Sequence, residues 1–309
     1  MKILIAGAAG FIGSHLSRLF LNQGHSVIGL DNLLTGNISN LEDFKSLKNY
    51  NFIEHDVRLP FFAEVDAILN FACPASPKQY QLDPILTIET SFIGTLNLLN
   101  LAQKINARFI QASTSEIYGD PQISPQHETY WGNVNPVGIR SCYDEGKRAS
   151  ETLCFDFKRK FDLDVRVMRI FNTYGTHMSI DDGRVISNFI VQALRNLPIT
   201  IYGTGDQTRS FCYISDLVQA TSKILTLGNC LGSPINIGNP NPISIKELAE
   251  EIVRLTQSQS DIIYDSLPSD DPTNRNPDIG LAQELLGWQP SITIQEGILK
   301  TATYFKSIL

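Results

Sequence analysis

The chain has 309 residues, 42% of them hydrophobic, and a formal net charge of −7 at pH 7. This length suits one large α/β unit or two small domains, and the composition excludes a mainly disordered chain. The acidic balance argues against nucleic acid or an anionic membrane as the main partner.

The first 31 residues predict a strand, a tight turn, a helix and a second strand. The run KILIAG is followed by the turn GAAGFIG, and the apolar residues after it recur at helical spacing until Gly24. The run HSVIGLD then ends at Asp31. Glycines interrupt the N-terminal apolar run from Gly7 onward, which argues against a signal peptide. We expect no membrane span, because no other run offers about 20 apolar residues.

The alternation of strands and helices continues along the chain. It predicts strands at 51–56, 67–72, 107–114 and 164–172, and long helices at 84–105 and 143–161. Such alternation predicts an α/β protein with a Rossmann-type, doubly wound parallel sheet.

The pattern loosens after about residue 175, where glycines and short strand-like runs become frequent. We therefore predict a nucleotide-binding domain over 1–175, its sheet completed by about 211–241, because the run SPINIGN can return to it. Residues 176–210 and 242–309 are then a smaller, partly discontinuous α/β substrate domain. The capping-box sequences SIKE and TIQE mark two late helices.

The cysteines and histidines predict neither disulfides nor a metal site. The five cysteines are widely spaced without a Cys-x-x-Cys pair, which is typical of a reducing cytoplasm. His127 and His177 lack metal-ligand spacing, so we expect both to be structural or exposed.

The turn GAAGFIG is a Gly-x-x-Gly-x-x-Gly variant of the dinucleotide fingerprint. Its glycines let backbone amides approach a pyrophosphate at a helix N-terminus. The triplet alone is weak, and an ordinary tight turn is the alternative. Asp31, at the end of the next strand, favours NAD, because a carboxylate there binds ribose hydroxyls and repels the 2′-phosphate of NADP. Asp56 is a candidate contact for the adenine amino group, or else a solvated loop acid.

A second group of residues predicts the oxidation of an alcohol. Tyr143 and Lys147 are four residues apart, so a helix places them on one face. A phenol has a pKa of about 10, and a nearby ammonium together with an oxidised nicotinamide favours its phenolate. Tyr143 is then a candidate to take a proton from an alcohol while hydride leaves for NAD. Thr114 or Ser115, at a predicted strand end, can hold the same oxygen; an exposed helical pair is the alternative.

With these motifs, the chain resembles the extended short-chain dehydrogenases/reductases and, more narrowly, the UDP-glucuronate decarboxylases, also called UDP-xylose synthases. The resemblance covers nearly the whole chain, and STSEIYGDP, YWGNVNP and QTRSF are its most discriminating stretches. The other stretches are GAAGFIGSHL, DNLLTGN, PASP, CYDEGKRASE, RIFNTYG, DGRVISNFI, YGTGDQTRSF, DDPTNRNPDI and LGWQP. One departure is NFA at 70–72, where many relatives carry His-Leu-Ala; we expect Asn70 and Phe71 to line the cofactor side.

The resemblance implies NAD-dependent decarboxylation of UDP-glucuronate to UDP-xylose through a 4-keto intermediate, without net redox change. A ketone at C4 is β to the carboxylate, so carbon dioxide can leave while the electrons are held as an enolate. A related 4,6-dehydratase presents an Asp-Glu pair after the threonine, so Ser115 favours decarboxylation, and Glu116 counts against a plain UDP-sugar 4-epimerase. These two activities remain alternatives, and a non-catalytic NAD-binding protein is a third.

The resemblance also implies three sets of site residues. Arg209 is expected near the substrate carboxylate, and whether Arg209, Glu116 or water protonates C5 stays open. The catalytic set is Thr114, Ser115, Glu116, Tyr143, Lys147 and Arg209. The cofactor set is Gly7, Gly10, Phe11, Ile12, Asp31, Asn32, Thr35, Gly36, Asp56, Val57, Phe71, Thr90, Ala112, Tyr143 and Lys147. The UDP-sugar set is Asn172, Arg184, Asn188, Tyr202, Arg209 and Arg275.

A homodimer is the implied assembly. The helices 84–105 and 143–161 are expected to pair with their copies as a four-helix bundle. Because the chain begins at its first strand, we expect a soluble cytoplasmic protein without the membrane anchor that eukaryotic relatives often carry.

Overall fold

A computed structural model describes residues 1–266 and 274–309. Residues 270–273, which begin the stretch DDPTNRNPDI, therefore lie outside the described residues. The strands in the described part are β1 (Lys2–Ala6), β2 (Ser26–Asp31), β3 (Tyr50–Glu54), β4 (Ala67–Asn70), β5 (Arg108–Thr114), β6 (Val165–Ile170), β7 (Thr173–Tyr174), β8 (Ile199–Tyr202), β9 (Thr208–Ser210), β10 (Cys212–Tyr213), β11 (Ile235–Ile237), β12 (Pro242–Ser244), β13 (Ile262–Asp265) and β14 (Asn274–Arg275).

Helices alternate with these strands over most of the chain. The α-helices in the described part are α1 (Phe11–Asn22), α2 (Pro77–Tyr80), α3 (Pro84–Glu89), α4 (Thr95–Ile105), α5 (Ser141–Phe161), α6 (Val185–Leu194), α7 (Ile214–Thr226), α8 (Ile245–Thr256), α9 (Gly280–Leu286) and α10 (Ile294–Ile308). Two short 3₁₀ turns, Ile38–Leu41 and Ser115–Tyr118, lie between them.

The central sheet has seven strands in the order β11-β6-β5-β4-β1-β2-β3, and its strand pairs are all parallel. This order confirms the predicted doubly wound α/β fold. The strand order reverses between β1 and β4, which is where such sheets bind ligands. β11 pairs with β6, so the run SPINIGN does return to the sheet.

Alternate residues of β1 enter two different hydrophobic cores, because successive side chains of a strand point to opposite faces. Ile3 and Ile5 belong to one core, and Leu4 and Ala6 to the other. Strands covered on both faces need continuous apolar runs, which explains the sequence KILIA.

The residues predicted to form a second domain fold into smaller units beside the sheet. β12, β9 and β14 form one small sheet, β13 pairs with β8, and α6, α8 and α10 pack together. One of the two large cores runs from the central sheet into these helices. At the start of α8, Ser244 and Glu247 form both bonds of a capping box. The exact division into domains stays a prediction.

The helix predicted over 84–105 is helical throughout but not uniform. A wider π-helical turn, Thr90–Gly94, joins α3 to α4. By length and composition alone, Pro84–Ile105 is the one described helix that meets the criteria for a membrane span, which the sequence analysis did not anticipate. Half of its apolar window is buried inside the fold, and a core helix meets the same criteria.

Candidate active site

A cavity of about 630 Å³ opens at the carboxyl ends of β1, β2 and β4. We call it the dinucleotide cavity, because it is lined by most of the residues predicted to bind a dinucleotide. Those residues are Gly7, Gly10, Phe11, Ile12, Asp31, Asn32, Thr35, Gly36, Val57, Phe71 and Thr90. The cavity therefore lies at the position where the strand order reverses.

The shape of the turn after β1 requires glycine. Gly7 has a left-handed φ of 81°, and a Cβ there would stand 2.7 Å from the carbonyl oxygen of Phe71. A Cβ at Gly13 would stand 2.0 Å from the carbonyl oxygen of Gly7. The first turn of α1 carries no acidic side chain. These residues fit a dinucleotide, because its diphosphate needs close backbone approach and the positive end of a helix.

Asp31 is held at the edge of this cavity by the backbone. Its carboxylate accepts hydrogen bonds from the amides of Ala9 at 2.9 Å and Leu33 at 2.8 Å. Burial raises the pKa of Asp31, and these bonds oppose that shift. Side-chain oxygens at this strand end suit ribose hydroxyls.

Asp56, Ala112, Tyr143 and Lys147 belong to the predicted cofactor set but lie outside the lining of the cavity. Asp56 accepts a hydrogen bond from the Asn32 side chain at 3.2 Å and forms an ion pair with Arg58. The hydrogen bond from Arg58 lowers the pKa of Asp56, so this carboxylate is charged at the rim.

Tyr143 and Lys147 lie on the side of α5 that faces the end of β5. The Lys147 ammonium donates to the carbonyl of Ala112 at 2.9 Å and lies 5.8 Å from the centroid of the Tyr143 ring. Tyr143, Lys147 and Thr114 are all buried. The structure thus brings together the phenol, the ammonium and the strand-end hydroxyl that the sequence analysis grouped.

The predicted phenolate of Tyr143 depends on Lys147 together with an oxidised nicotinamide. In the protein alone, burial raises the pKa of Tyr143, the nearby Cys73 thiol adds to the rise, and the Thr114 hydroxyl opposes it. Burial dominates because a phenolate inside the protein loses its hydration. The positive charge of an oxidised nicotinamide is therefore needed to favour the phenolate.

Glu116 lies in the 3₁₀ turn that follows β5. Its backbone amide donates to the Thr114 hydroxyl at 3.2 Å, which caps the turn. Its carboxylate contacts the guanidinium of Arg275 at 3.0 and 3.3 Å, and it also forms an ion pair with Arg140. Burial alone would raise the pKa of Glu116, but the charges of Arg275 and Arg140 outweigh burial and hold it well below its usual value. Glu116 is therefore a carboxylate at neutral pH.

Arg209 is predicted beside the substrate carboxylate and Arg275 at the UDP moiety, and both roles stay predictions. In the structure Arg275 is 2% exposed and binds both Glu116 and the carbonyl of Gly119. Arg209 lies on the neighbouring strand, opposite Arg275 in the β9–β14 pairing. The pairing of these two short strands brings Arg275 to Glu116. The spacing of the two residues in the sequence does not predict this contact.

Two further residues of this cluster, Arg140 and Asp144, are absent from the predicted site. Arg140 comes three residues before Tyr143, at the start of α5, so helical spacing from Tyr143 was an available signal. Asp144 is buried on α5. Burial raises its pKa to about 7, the charge of Glu116 adds to the rise, and Arg140 opposes it.

The other residues predicted to bind the UDP-sugar are spread over the second half of the chain. Asn172 follows β6, Asn188 lies in the first turn of α6, and Tyr202 ends β8 with 45% of its surface exposed. Arg184 lines the dinucleotide cavity instead, 5.9 Å from the Phe11 ring centroid, and is paired with Asp182. Its predicted contact with the UDP-sugar stays a prediction.

The expectation for Asn70 changes, and His177 has contacts that support a structural place. Asn70 does not line the cavity, because its side chain binds Thr95 and Gln111 in the buried interior. His177 is not an isolated histidine: its ring packs 4.6 Å from that of His15, and it lines the cavity. Neither contact is visible in the sequence, because the partners are distant in the chain.

Comparison with known proteins gives a consistent result. A model described as "NAD dependent epimerase/dehydratase family" matches residues 3–238. The chain is 51% identical over 299 residues to UDP-glucuronic acid decarboxylase 6 of Arabidopsis thaliana, covering 96% of this chain and 87% of that protein. It is 48% identical over 308 residues to UDP-glucuronic acid decarboxylase 1 of Xenopus tropicalis, covering 100% of this chain and 73% of that protein.

Solved structures share the whole architecture. The UDP-glucuronic acid 4-epimerase of Bacillus cereus, in complex with UDP-glucuronic acid and NAD, superimposes with a TM-score of 0.88 and 26% identity over 100% of both chains. The UDP-glucose 4-epimerase of Thermotoga maritima, with UDP-glucose, gives a TM-score of 0.90 and 27% identity, covering 100% of this chain and 99% of that one.

Proposed function

Because the chain belongs to the NAD dependent epimerase/dehydratase family, we propose that it is a UDP-glucuronate decarboxylase that forms UDP-xylose and carbon dioxide with NAD as a recycled cofactor. The relatives that are about half identical over nearly all of the chain bear the name of this activity. The glycine turn and Asp31, which line the dinucleotide cavity, would hold NAD. When bound, NAD would supply a reversible acceptor for the hydride of C4 of the sugar.

The residues at the end of β5 and on α5 prepare the C4 alcohol for oxidation. Tyr143, ionised to its phenolate beside the positive charge of an oxidised nicotinamide, takes the proton of the C4 hydroxyl and becomes a phenol, and Thr114 holds the same oxygen. Lys147, anchored to the carbonyl of Ala112 at 2.9 Å, keeps a positive charge beside the phenol. Burial of the three side chains excludes water from this proton transfer.

The two ion pairs of the Glu116 carboxylate, with Arg275 and Arg140, are the observation that carries the choice of reaction. A dehydratase needs an acid that gives a proton to the departing hydroxyl, whereas carbon dioxide leaves without one. Ser115 is no such acid, and Arg275 and Arg140 keep Glu116 deprotonated. The cluster therefore suits decarboxylation and disfavours dehydration.

The same contacts support a revised assignment at C5. We propose that the Glu116–Arg275 pair, and not Arg209, lies beside the carboxylate and the C5 carbon of the sugar. A guanidinium there stabilises the enolate that forms as carbon dioxide leaves. Because its pKa is depressed, Glu116 is a poor donor of the C5 proton in the resting enzyme.

The direct test is incubation of the purified protein with UDP-glucuronate labelled at the carboxyl carbon. We expect labelled carbon dioxide and a UDP-pentose. A UDP-hexuronate epimer with the label retained would indicate a 4-epimerase, and unchanged substrate despite bound NAD would indicate a binding protein. Glu116→Gln should slow release of the label, and Glu250→Gln, on the exposed side of α8, is the matched control.

We also propose that the protein is a homodimer. Five apolar side chains stay exposed just before and along the start of the long helix: Leu82 75%, Ile85 67%, Ile88 39%, Phe92 40% and Ile93 38%. A contiguous exposed apolar surface of this kind is typical of an interface. The partner we propose is a second copy of the chain, with Pro84–Ile105 and α5 forming a four-helix bundle.

We propose that the protein is located in the cytoplasm. The cysteines are all free thiols, and Cys154 and Cys212 are buried in the cores. Free buried thiols are compatible with a reducing compartment. Cell fractionation followed by immunoblotting tests the location, and recovery with the membrane or secreted fraction would contradict it.

A further inference from the structure

His177 lies in the loop between β7 and α6 and lines the dinucleotide cavity together with Gly10, Phe11 and Tyr304. Its ring centroid is 4.6 Å from that of His15 and 5.6 Å from that of Tyr304. Its backbone has a left-handed φ of 65°. Such a φ is uncommon outside glycine and costs free energy, so the surrounding contacts must hold it in place.

The Ser14 hydroxyl lies 3.1 Å from the carbonyl of Phe11 and 3.0 Å from Nδ1 of His177. In the tautomer that we propose, the hydroxyl donates its single proton to the Phe11 carbonyl and accepts from Nδ1 of His177. Neutral His177 then carries its proton on Nδ1 and none on Nε2. Among the described residues, no hydrogen-bond partner occupies Nε2, so this atom remains for a ligand of the cavity.

Charged groups face His177 from several elements. His15 and Arg18 reach it from α1, and Asp43 from the turn after the first 3₁₀ segment. Burial lowers the pKa of His177 to about 4, His15 and Arg18 lower it further, and Asp43 opposes them. His177 is therefore neutral at neutral pH in the free protein. Tyr304 and the Asp182–Arg184 pair line the same cavity.

α1 begins at Phe11, one turn before the residue that binds the His177 ring. A helix N-terminus after a glycine turn is where a dinucleotide places its diphosphate. We propose that His177 contacts the diphosphate of NAD, taking up one proton from solvent on Nε2 as the cofactor binds and donating that N–H to a phosphate oxygen. No bond is broken, and the imidazolium offsets part of the phosphate charge.

The direction of the pH dependence follows from linkage. The diphosphate favours the charged imidazole, so the pKa of His177 is higher in the complex than in the free protein. Affinity for NAD therefore rises as pH falls through the pKa of the complex, and levels off below the pKa of about 4 of the free protein. If binding restores the ordinary pKa of about 6.5, Kd falls about tenfold between about pH 7.5 and about pH 5.5.

Equilibrium dialysis of the purified holoenzyme against radiolabelled NAD at a series of pH values tests this contact without an activity assay. We expect wild type to bind NAD more tightly at lower pH. His177→Gln should bind weakly with a flatter profile, and His177→Arg should bind tightly at every pH because its charge is permanent. His127→Gln is the matched control, because His127 is exposed and outside the lining of the cavity.

The proposal is overturned if His177→Gln keeps the affinity and the pH profile of wild type. It is equally overturned if His177→Arg keeps the wild-type pH slope. Should the Gln variant fail to fold, the Arg variant decides, with thermal unfolding in the absence of added NAD as the check on its fold. A slope shared by all variants would instead reflect another group, such as Asp31.

Discussion

The guanidinium of Arg275 lies 3.0 Å from the carboxylate of Glu116, although 159 positions separate the two residues in the chain. β14 brings Arg275 to this position by pairing with β9, and the turn after β5 brings Glu116. The contact unites the last part of the chain with the strand end that carries Thr114. Because of this contact, we propose that Arg275 lies beside the substrate carboxylate. Substitutions of Arg275 and Arg209 should therefore have different effects.

Arg275→Lys and Arg209→Lys should have different kinetic effects. Lysine keeps the positive charge but lacks the planar guanidinium, so Arg275→Lys weakens the interaction with Glu116. We expect this variant to lower kcat for carbon dioxide release by about tenfold or more. Arg209→Lys should act mainly on KM for the UDP-sugar. Steady-state kinetics of both variants decide the matter, and a loss of kcat confined to Arg209→Lys would restore the original assignment.

Glu116 should contribute to stability in a pH-dependent way. Its pKa is lower in the folded protein, so its contribution is complete above the unfolded pKa of about 4.3 and is lost as pH falls toward the folded value. Glu116→Gln should cost about 3 kcal/mol at neutral pH, because two guanidinium groups lose a buried partner. Urea unfolding at several pH values measures the difference, which should shrink in acid. A constant difference would argue against the ion cluster.

Tyr143→Phe should abolish oxidation at C4. Loss of the phenol removes the group that takes the alcohol proton, so turnover should fall by about 10² to 10⁴. Carbon dioxide release and the near-ultraviolet absorbance of reduced nicotinamide report the two halves of the reaction. Tyr264→Phe is the control, because Tyr264 is 54% exposed on β13. Wild-type turnover in Tyr143→Phe would refute the role of the phenol.

Gly7→Ala should impair NAD binding. The left-handed φ of 81° costs about 1–2 kcal/mol for a residue with a Cβ, and that Cβ would also stand 2.7 Å from the carbonyl oxygen of Phe71. We expect a weaker NAD affinity and a lower thermal unfolding temperature. In contrast, Gly228→Ala meets nothing within 4 Å and should behave as wild type. Equal NAD affinity in both variants would contradict the fit of the glycine turn.

Ile85→Asp should dissociate the proposed dimer. A charge in the apolar interface is desolvated without a partner, so the variant should sediment as a monomer at micromolar concentration. Leu285→Asp, on α9 and 40% exposed, introduces the same charge away from the long helix. Analytical ultracentrifugation compares the three proteins, and a monomeric wild type would end the dimer proposal.

The sequence by itself determined the features that depend on neighbours in the chain. Apolar runs at strand spacing predicted the sheet, and the glycines after β1 with Asp31 predicted the dinucleotide cavity. The spacing of Tyr143 and Lys147 predicted a shared helix face, which the structure confirms. These inferences succeed because strand pleat, helix period and tight turns are local properties of the backbone.

Only the tertiary structure decided which distant side chains meet. Glu116 contacts Arg275 because β14 pairs with β9. His177 contacts His15 because the loop between β7 and α6 packs against α1. Both contacts contribute to the pKa shift of a site group, because burial and neighbouring charges set a pKa. Residue spacing along the chain carries no information about such neighbours, since any of several arginines or histidines satisfies the same local pattern.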